Sequence, residues 1–264
     1  MAIATWDGFI GSSKQYVSLA KTASRTSIAA SWFSVFDLAG NPGAGTLAGT
    51  STAAGVVPTD ATAGCPSIDA FGGGATGYLA QVDFGSSVAC RLKLFDMVFK
   101  AGAYAFNANT TLAAQPSYAS RMPGGAYGDT QIWIEAVTAF TGNLSIAVTY
   151  TNQSGTTART TGTVATGVAP TLGRMIQLPL QSGDTGVQKI ESVVATVSTV
   201  GTFNVLVLRP LWSGRVKIAN DGDVHDLAKT GMPVLFADSA LVLAVAADST
   251  ATGIPELEFV IANA

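Results

Sequence analysis

Charge is what this sequence has least of. Only 12% of its 264 residues are Asp, Glu, Lys or Arg, about half the usual quarter. A lone globule so poor in charge has little to hold its surface apart from its neighbours'. The composition therefore predicts that other subunits cover much of this surface. With 14 basic and 17 acidic residues the formal charge is −3, so no basic face draws the chain onto nucleic acid. Cysteine is scarce too: Cys65 and Cys90, without a CxxC and with a single histidine, exclude a zinc site. They read as two small buried thiols, or as a pair closing a loop of about 25 residues and worth roughly 3 kcal/mol. Long apolar runs are missing as well. Ala240 to Ala247 falls far short of the roughly 20 residues that span a bilayer. The N-terminus, Met-Ala-Ile-Ala-Thr-Trp-Asp, lacks the basic stretch and apolar run of a secretory signal. Aromatics are 8%, and Trp6, Trp32, Trp133 and Trp212 are widely scattered, which suits core packing better than a carbohydrate platform. No period of 20–50 residues recurs, which argues against a propeller or solenoid.

Apolar residues, at 48%, and 29 glycines are what the chain does have, enough for a sizeable core and against disorder. In the first twenty residues Trp6, Phe9, Ile10, Tyr16, Val17 and Ala20 fall near a 3.6-residue period. This predicts a short amphipathic helix, capped by Thr5 or Asp7 and weakened by Gly8 and Gly11. From Asp37 to Gly77 the composition shifts to Gly, Ala, Thr and Pro. Turns are expected at Gly40-Asn41-Pro42-Gly43, near Val57-Pro58-Thr59-Asp60 and at Gly72-Gly73-Gly74. A loop this long is functional or held by a partner. The glycine triplet is no phosphate cradle, because neither GK[ST] nor GxGxxG accompanies it.

Past Tyr78 the pattern is that of strands. Candidates are Arg91–Phe99, the run around Ile132-Trp133-Ile134, and Leu144–Tyr150 with the turn Asn152-Gln153-Ser154-Gly155 and a return to Val164, a hairpin. Met175–Leu180, Lys189–Val197, Thr202–Leu208, Arg215–Ala219, Val234–Ala237, Leu241–Ala246 and Glu256–Ile261 follow. Many short strands separated by turns predict a mainly β chain, an antiparallel β-sandwich of jelly-roll type. The expected organisation is a helix and extended Gly-rich arm over residues 1–77 and a β-sandwich over 78–264, possible also as one continuous domain.

Residues fit for chemistry are few. His225 lies between Asp223 and Asp226, but no GxSxG elbow presents a nucleophile, and Asp221-Gly222-Asp223 reads as a tight turn. Asp221, Asp223 and Asp226 form the best oxygen cluster, without EF-hand spacing. Glu256/Glu258 and Asp83/Asp96 are carboxylate pairs of the kind any fold has. The expectation is no catalytic residue, no metal and no cofactor, hence a protein that is not an enzyme.

Thr5-Trp6-Asp7 with Lys14-Gln15, the run Ser34-Val35-Phe36-Asp37-Leu38-Ala39-Gly40-Asn41-Pro42-Gly43, and Ala70-Phe71-Gly72-Gly73-Gly74-Ala75-Thr76-Gly77-Tyr78 belong together. Leu92 to Tyr104, with Leu94-Phe95-Asp96 and Lys100-Ala101-Gly102-Ala103-Tyr104, continues them. The whole resembles virion structural proteins of tailed bacteriophages. The resemblance implies an accessory head protein, a decoration or cement subunit, located in the virion after synthesis in the bacterial cytoplasm. Its implied partners are the major capsid protein or other virion proteins and further copies of itself, with a trimer the expected oligomer and neither nucleic acid nor membrane. The other role considered is a tail- or fibre-associated β-sandwich that binds a receptor or glycan. Trp6, Phe9, Ile10, Tyr16, Trp32, Phe36 and Phe71 are the expected intersubunit contacts, with residues 1–20 and 37–77 reaching neighbours.

Overall fold

The computed structural model describes residues 3, 6–73, 75–105, 109–143, 145–165, 169–195 and 200–263, the side chains of residues 6 and 165 excepted. Its longer strands are β1 (Ser13–Lys21), β2 (Gly77–Ser86), β3 (Cys90–Ala105), β4 (Gln131–Ala136), β5 (Ser145–Asn152), β6 (Met175–Leu178), β7 (Val187–Ala195), β8 (Thr202–Val216), β9 (Asp221–His225), β10 (Leu241–Ala247) and β11 (Pro255–Asn263). The chain is mainly β, with antiparallel sheets layered like a sandwich, as its turn spacing predicts.

The central sheet runs β6-β4-β8-β3-β10 and ends on the short strand Phe33–Ser34. That strand also bridges back to the other edge. Phe33 pairs with Arg174 just ahead of β6, Ser34 N–H donates to the Gly173 carbonyl, and Met175 N–H donates to the Trp32 carbonyl. The sheet thus closes on itself into a barrel at this seam.

Side-chain alternation sorts the barrel's two surfaces. Phe95, Met97, Trp133, Met175, Leu206, Leu208, Val242 and Ala244 form one buried cluster inside it. Their strand neighbours point outward. Leu92, Leu94, Leu241, Leu243 and Val245 do so on one half, and Phe99, Ile132, Ile134, Phe203, Val205 and Val207 on the other. A β-bulge makes this possible: Phe99 pairs with Val207 and Met97 with Leu208, so Val98 is an extra residue in β3. Were Val98 to take a regular place in the ladder, Phe99 would fall inside the barrel with Met97.

Each outer half carries a second sheet. β9-β2-β11-β1 covers the first half through Val17, Leu19, Leu79, Val82, Phe84, Leu257, Phe259 and Ile261. β5 and β7 cover the second through Ile146, Val148, Tyr150, Val187, Ile190 and Val193.

Several sequence expectations change here. The helix is only Trp6–Gly11, and Thr5, one of its two expected caps, lies outside the described residues. From Ser13 the chain is β1, paired with β11 from Ser13–Asn263 to Ala20–Glu256. Val17, Leu19 and Lys21 are buried at period two, and this long ladder outweighs the weak helical spacing. The expected strand Thr202–Leu208 continues through Pro210 to Val216 as one β8, which takes in only the first two residues of the expected Arg215–Ala219 strand. Proline has no N–H to give a ladder, and it sits beside the irregularity at Leu211, the setting in which strands tolerate it. The hairpin is present, with β5 meeting its turn at Asn152–Gly155, but the return comes in two pieces, Arg159–Thr160 and Val164–Ala165. Leu144 and the end of the expected Lys189–Val197 strand lie outside the described residues. Asp221-Gly222-Asp223 is not a turn but the start of edge strand β9, laid against β2.

The segment expected to be an arm is bound to its own chain. Asn204, inside the barrel, donates to the Leu47 carbonyl (2.6 Å) and accepts from Gly49 N–H (2.8 Å), while Lys100 Nζ donates to the Thr46 carbonyl (3.0 Å). Val56 then bridges to Lys100, extending the central sheet along the part of β3 that β10 does not reach. Glycine is required where this segment touches the barrel. A Cβ at Gly45 would stand 2.4 Å from the Phe36 ring, and one at Gly55, whose φ is +68°, 2.2 Å from the Phe99 ring. A plug, an edge strand and β1 all come from the first 77 residues. Gly77 is the first residue of β2.

Candidate functional site

The expected contact residues divide into two groups. Ile10, in the short helix, is 69% exposed, and Tyr16, in β1, is 80% exposed. Lys14 fixes the helix: its Nζ donates to the carbonyls of Phe9 (2.9 Å), Ile10 (3.2 Å) and Ser12 (3.1 Å) and sits 4.7 Å from the Phe9 ring centre. Tyr16 stands beside Val260 on the sheet's outer face. Phe9 is half-buried, and the Trp6 side chain lies outside the described residues.

The second group faces inward. Phe36 is buried in the barrel cluster with Cys65, and Trp32 packs against it. Phe71 packs on the core between barrel and outer sheet. Phe36 is buried within the folded chain, because the barrel takes its ring. Sequence reasoning missed other exposed apolar residues, among them Val200 (71%) and Ile218 (68%). Both stand singly between strands, where no periodicity can mark them.

Polar groups buried at the heart of the fold hold its parts together. Asp96 is buried on the barrel's outer surface, where the two covering sheets meet. Its carboxylate accepts from Arg121 Nη2, from Arg209 Nη2 (3.0 Å), from Ser239 Oγ (3.0 Å) and from Ala240 N–H (3.1 Å). Arg121 also donates to the Pro58 carbonyl in the plug segment and to the Met97 carbonyl. Desolvation pulls both guanidiniums down to about 10. Inside the barrel Glu135 accepts from Asn204 Nδ2 (2.8 Å). Burial raises its carboxyl, against the pull of Lys100 and hydrogen bonds from Ser34 and Asn204. The Cys65 thiol is pushed up to about 12 by burial, and both cysteines are free.

Of the residues weighed for catalysis, His225 and Asp223 come within reach of each other, Nε2 to Oδ2 3.9 Å, with no nucleophile described beside them. His225 Nδ1 accepts from Trp212 Nε1 (2.9 Å), and its ring stands edge-on to Phe84. Asp226 caps the short helix Leu227–Thr230, accepting from Ala228 and Lys229 N–H, whereas Asp221 and Asp223 bond their own following N–H groups. Among the described residues no group of three His, Cys, Asp or Glu is placed to hold a metal. Asp83 and Glu258 face each other across β2 and β11, and with Glu256 and Asp221 they line a groove of about 590 Å³ on the outer sheet. Asp96, paired with Asp83 in the sequence reading, belongs to the arginine cluster instead.

A second cavity, about 320 Å³, opens at one mouth of the barrel and is lined by Lys93, Phe95, Gln131, Trp212, Ser213 and Lys229, among others. Lys93 Nζ lies 4.8 Å from the Trp32 ring centre and 5.5 Å from that of Trp133. Burial lowers the pKa of its ammonium. Gln131 Oε1 accepts from Trp133 Nε1 (2.9 Å), which turns the amide NH₂ away from that bond.

No protein-family model matches the chain, and no curated protein does. Among solved structures, one of the infectious bursal disease virus Gx strain aligns at 11% identity over 96% of this chain and 80% of that one, with a TM-score of 0.17. The VP2 subviral particle of the same virus aligns at 9% identity over 96% and 80%, with a TM-score of 0.18. Overlaps this loose carry no argument about fold or role, and the virus is not a bacteriophage.

Proposed function

We propose that this chain is a structural component of a tailed-bacteriophage virion, an accessory head protein of the decoration or cement kind. It acts by binding neighbouring subunits and turns over no substrate. The sequence resemblance supports the phage setting, and one structural observation carries the assembly role. A chain with only 12% charged residues leaves Ile10, Tyr16, Val200 and Ile218 in water, though it closes its barrel and ties its long Gly-rich segment to its own strands. Interface cores are depleted in charge and enriched in aromatic residues such as tyrosine. Burying Ile10 and Tyr16 on a neighbour is worth about 1.5–3 kcal/mol each, and many copies on one shell multiply a modest contact by avidity. The plugged barrel presents these side chains on a rigid support, which limits the ordering cost of binding.

The neighbours proposed are the major capsid protein and further copies of this chain, in a trimer. The test is co-sedimentation of purified protein with phage heads that lack it. Wild type is expected to bind saturably, and the double variant Ile10→Ser/Tyr16→Ser to bind at least tenfold more weakly while melting like wild type. Equal binding by the two refutes the assignment of this surface. The barrel-mouth cavity favours the second role, a tail- or fibre-associated binding module, and antibody labelling that decorates tails and leaves heads bare would establish it.

A further inference from the structure

We infer that the mouth of the central barrel binds a small organic anion of monosaccharide size, with Lys93 receiving its negative group. This does not rest on the assembly role, since a virion protein on head or tail could carry such a site.

The walls decide the sign of the ligand. Lys93, Gln131, Ser213, Lys229 and Thr230 are the polar side chains lining the cavity, and no carboxylate is among them. Lys93 has no carboxylate within ion-pair distance among the described residues; its ammonium rests on the faces of Trp32 and Trp133 instead. A cation over two indoles is attracted to their π faces, yet it keeps N–H donors for which the indole faces offer no lone-pair acceptor. Burial already disfavours its charge, so an anion at the mouth restores what desolvation removes. Gln131 directs its amide NH₂ away from Trp133, and Ser213, exposed directly across the strand pair from Lys93, adds a hydroxyl.

The remaining walls set the size and shape. Phe95, Pro210 and Trp212 give an apolar side, and about 320 Å³ falls at the small end of the range for small-molecule sites. A ring lying on the apolar side, with hydroxyls toward Gln131 and Ser213 and its acid group at Lys93, satisfies every wall. A hexuronate has this chemistry, and a hexose phosphate shares it.

The experiment is calorimetric titration of the full chain, followed in parallel by tryptophan fluorescence, with galacturonate, glucose 6-phosphate and neutral galactose as probes. At least one acid is expected to bind saturably and tenfold or more tighter than galactose, and which one shows whether carboxylate or phosphate is the natural head group. Two variants test the position. Lys93→Met keeps the stem and removes the charge, and Ser213→Asp places an acid opposite Lys93 at an exposed position where folding is not at stake. Each is expected to weaken acid binding at least tenfold. Saturable binding of neither acid, equal binding of galactose, or full affinity in Ser213→Asp would overturn the proposal.

Discussion

Replacing Asp96 by asparagine tests how the three parts of the fold are joined. The side chain keeps its size, but it loses the charge that two buried guanidiniums share. The Arg121 side chain is fully buried, and Arg209 is 6% exposed. Taking one partner from a buried ion pair costs about 3–5 kcal/mol, because the remaining charge stays desolvated without compensation. Here one substitution orphans two cations, so the upper end of that range applies. Folded domains are stable by only about 5–15 kcal/mol. For 264 residues, about 2 °C of melting temperature goes with each kcal/mol, so a loss of about 10 °C is expected. Thermal unfolding followed by circular dichroism, with urea titration at 25 °C, measures it. A companion variant, Asp96→Leu/Arg121→Met/Arg209→Leu, removes the whole cluster. It is expected to lie far closer to wild type, because apolar replacement of a buried ionic cluster is near neutral or stabilising. An Asp96→Asn protein within about 1 kcal/mol of wild type, by the same standard, would show that the cluster does not hold the parts together.

Three further outcomes follow from the geometry. Hydrogen bonds from Arg159, Tyr150 and Asn152 hold the Asp184 carboxyl at about 2 against an ordinary 3.8. Its contribution is therefore complete above about pH 4 and lost as pH falls toward 2; Asp184→Asn should flatten that part of the stability profile, and an unchanged acid limb would contradict the pairing. Gly45→Ala and Gly55→Ala drive a methyl against the Phe36 and Phe99 rings and should each lower the melting temperature by several degrees, by about 1–3 kcal/mol of overpacking, whereas Gly72→Ala, with nothing near its Cβ, should not. Cys65 and Cys90 are buried and free, so a thiol reagent should label neither in the native protein and both after denaturation; rapid native labelling of Cys65 would refute its place inside the barrel.

Much of the strand pattern was legible because burial on one face writes itself as period two, as in β5 and β11. The barrel was not legible. Its strands are buried on both faces, so Leu92 to Phe99 reads as a near-continuous apolar run that gives no clue to inside and outside. The single extra residue at Val98 that reorders them has no local signature. The N-terminal segment misled for a related reason: Tyr16, Val17 and Ala20 fit a helical spacing loosely, and the ladder that makes them a strand is supplied by residues 256–263, far away in sequence. The Gly-rich segment reads from sequence as a long loop, functional or held by a partner, and in the fold Asn204 and Lys100 of its own chain hold part of it. The contact residues split along the same line. Ile10 and Tyr16 are exposed among the described residues, whereas Phe36 lies inside a barrel that only closure of the sheet creates. The barrel-mouth cavity joins Lys93, Gln131 and Ser213 from three strands, and no linear motif marks such a set.

The most direct measurement is an electron cryomicroscopy reconstruction of the phage particle proposed to carry this protein, from which the chain can be placed in density. A symmetric array of barrels on the head surface, with Ile10 and Tyr16 against a neighbouring subunit, is the predicted result. Particles purified with intact heads and tails but without this chain would contradict the virion role.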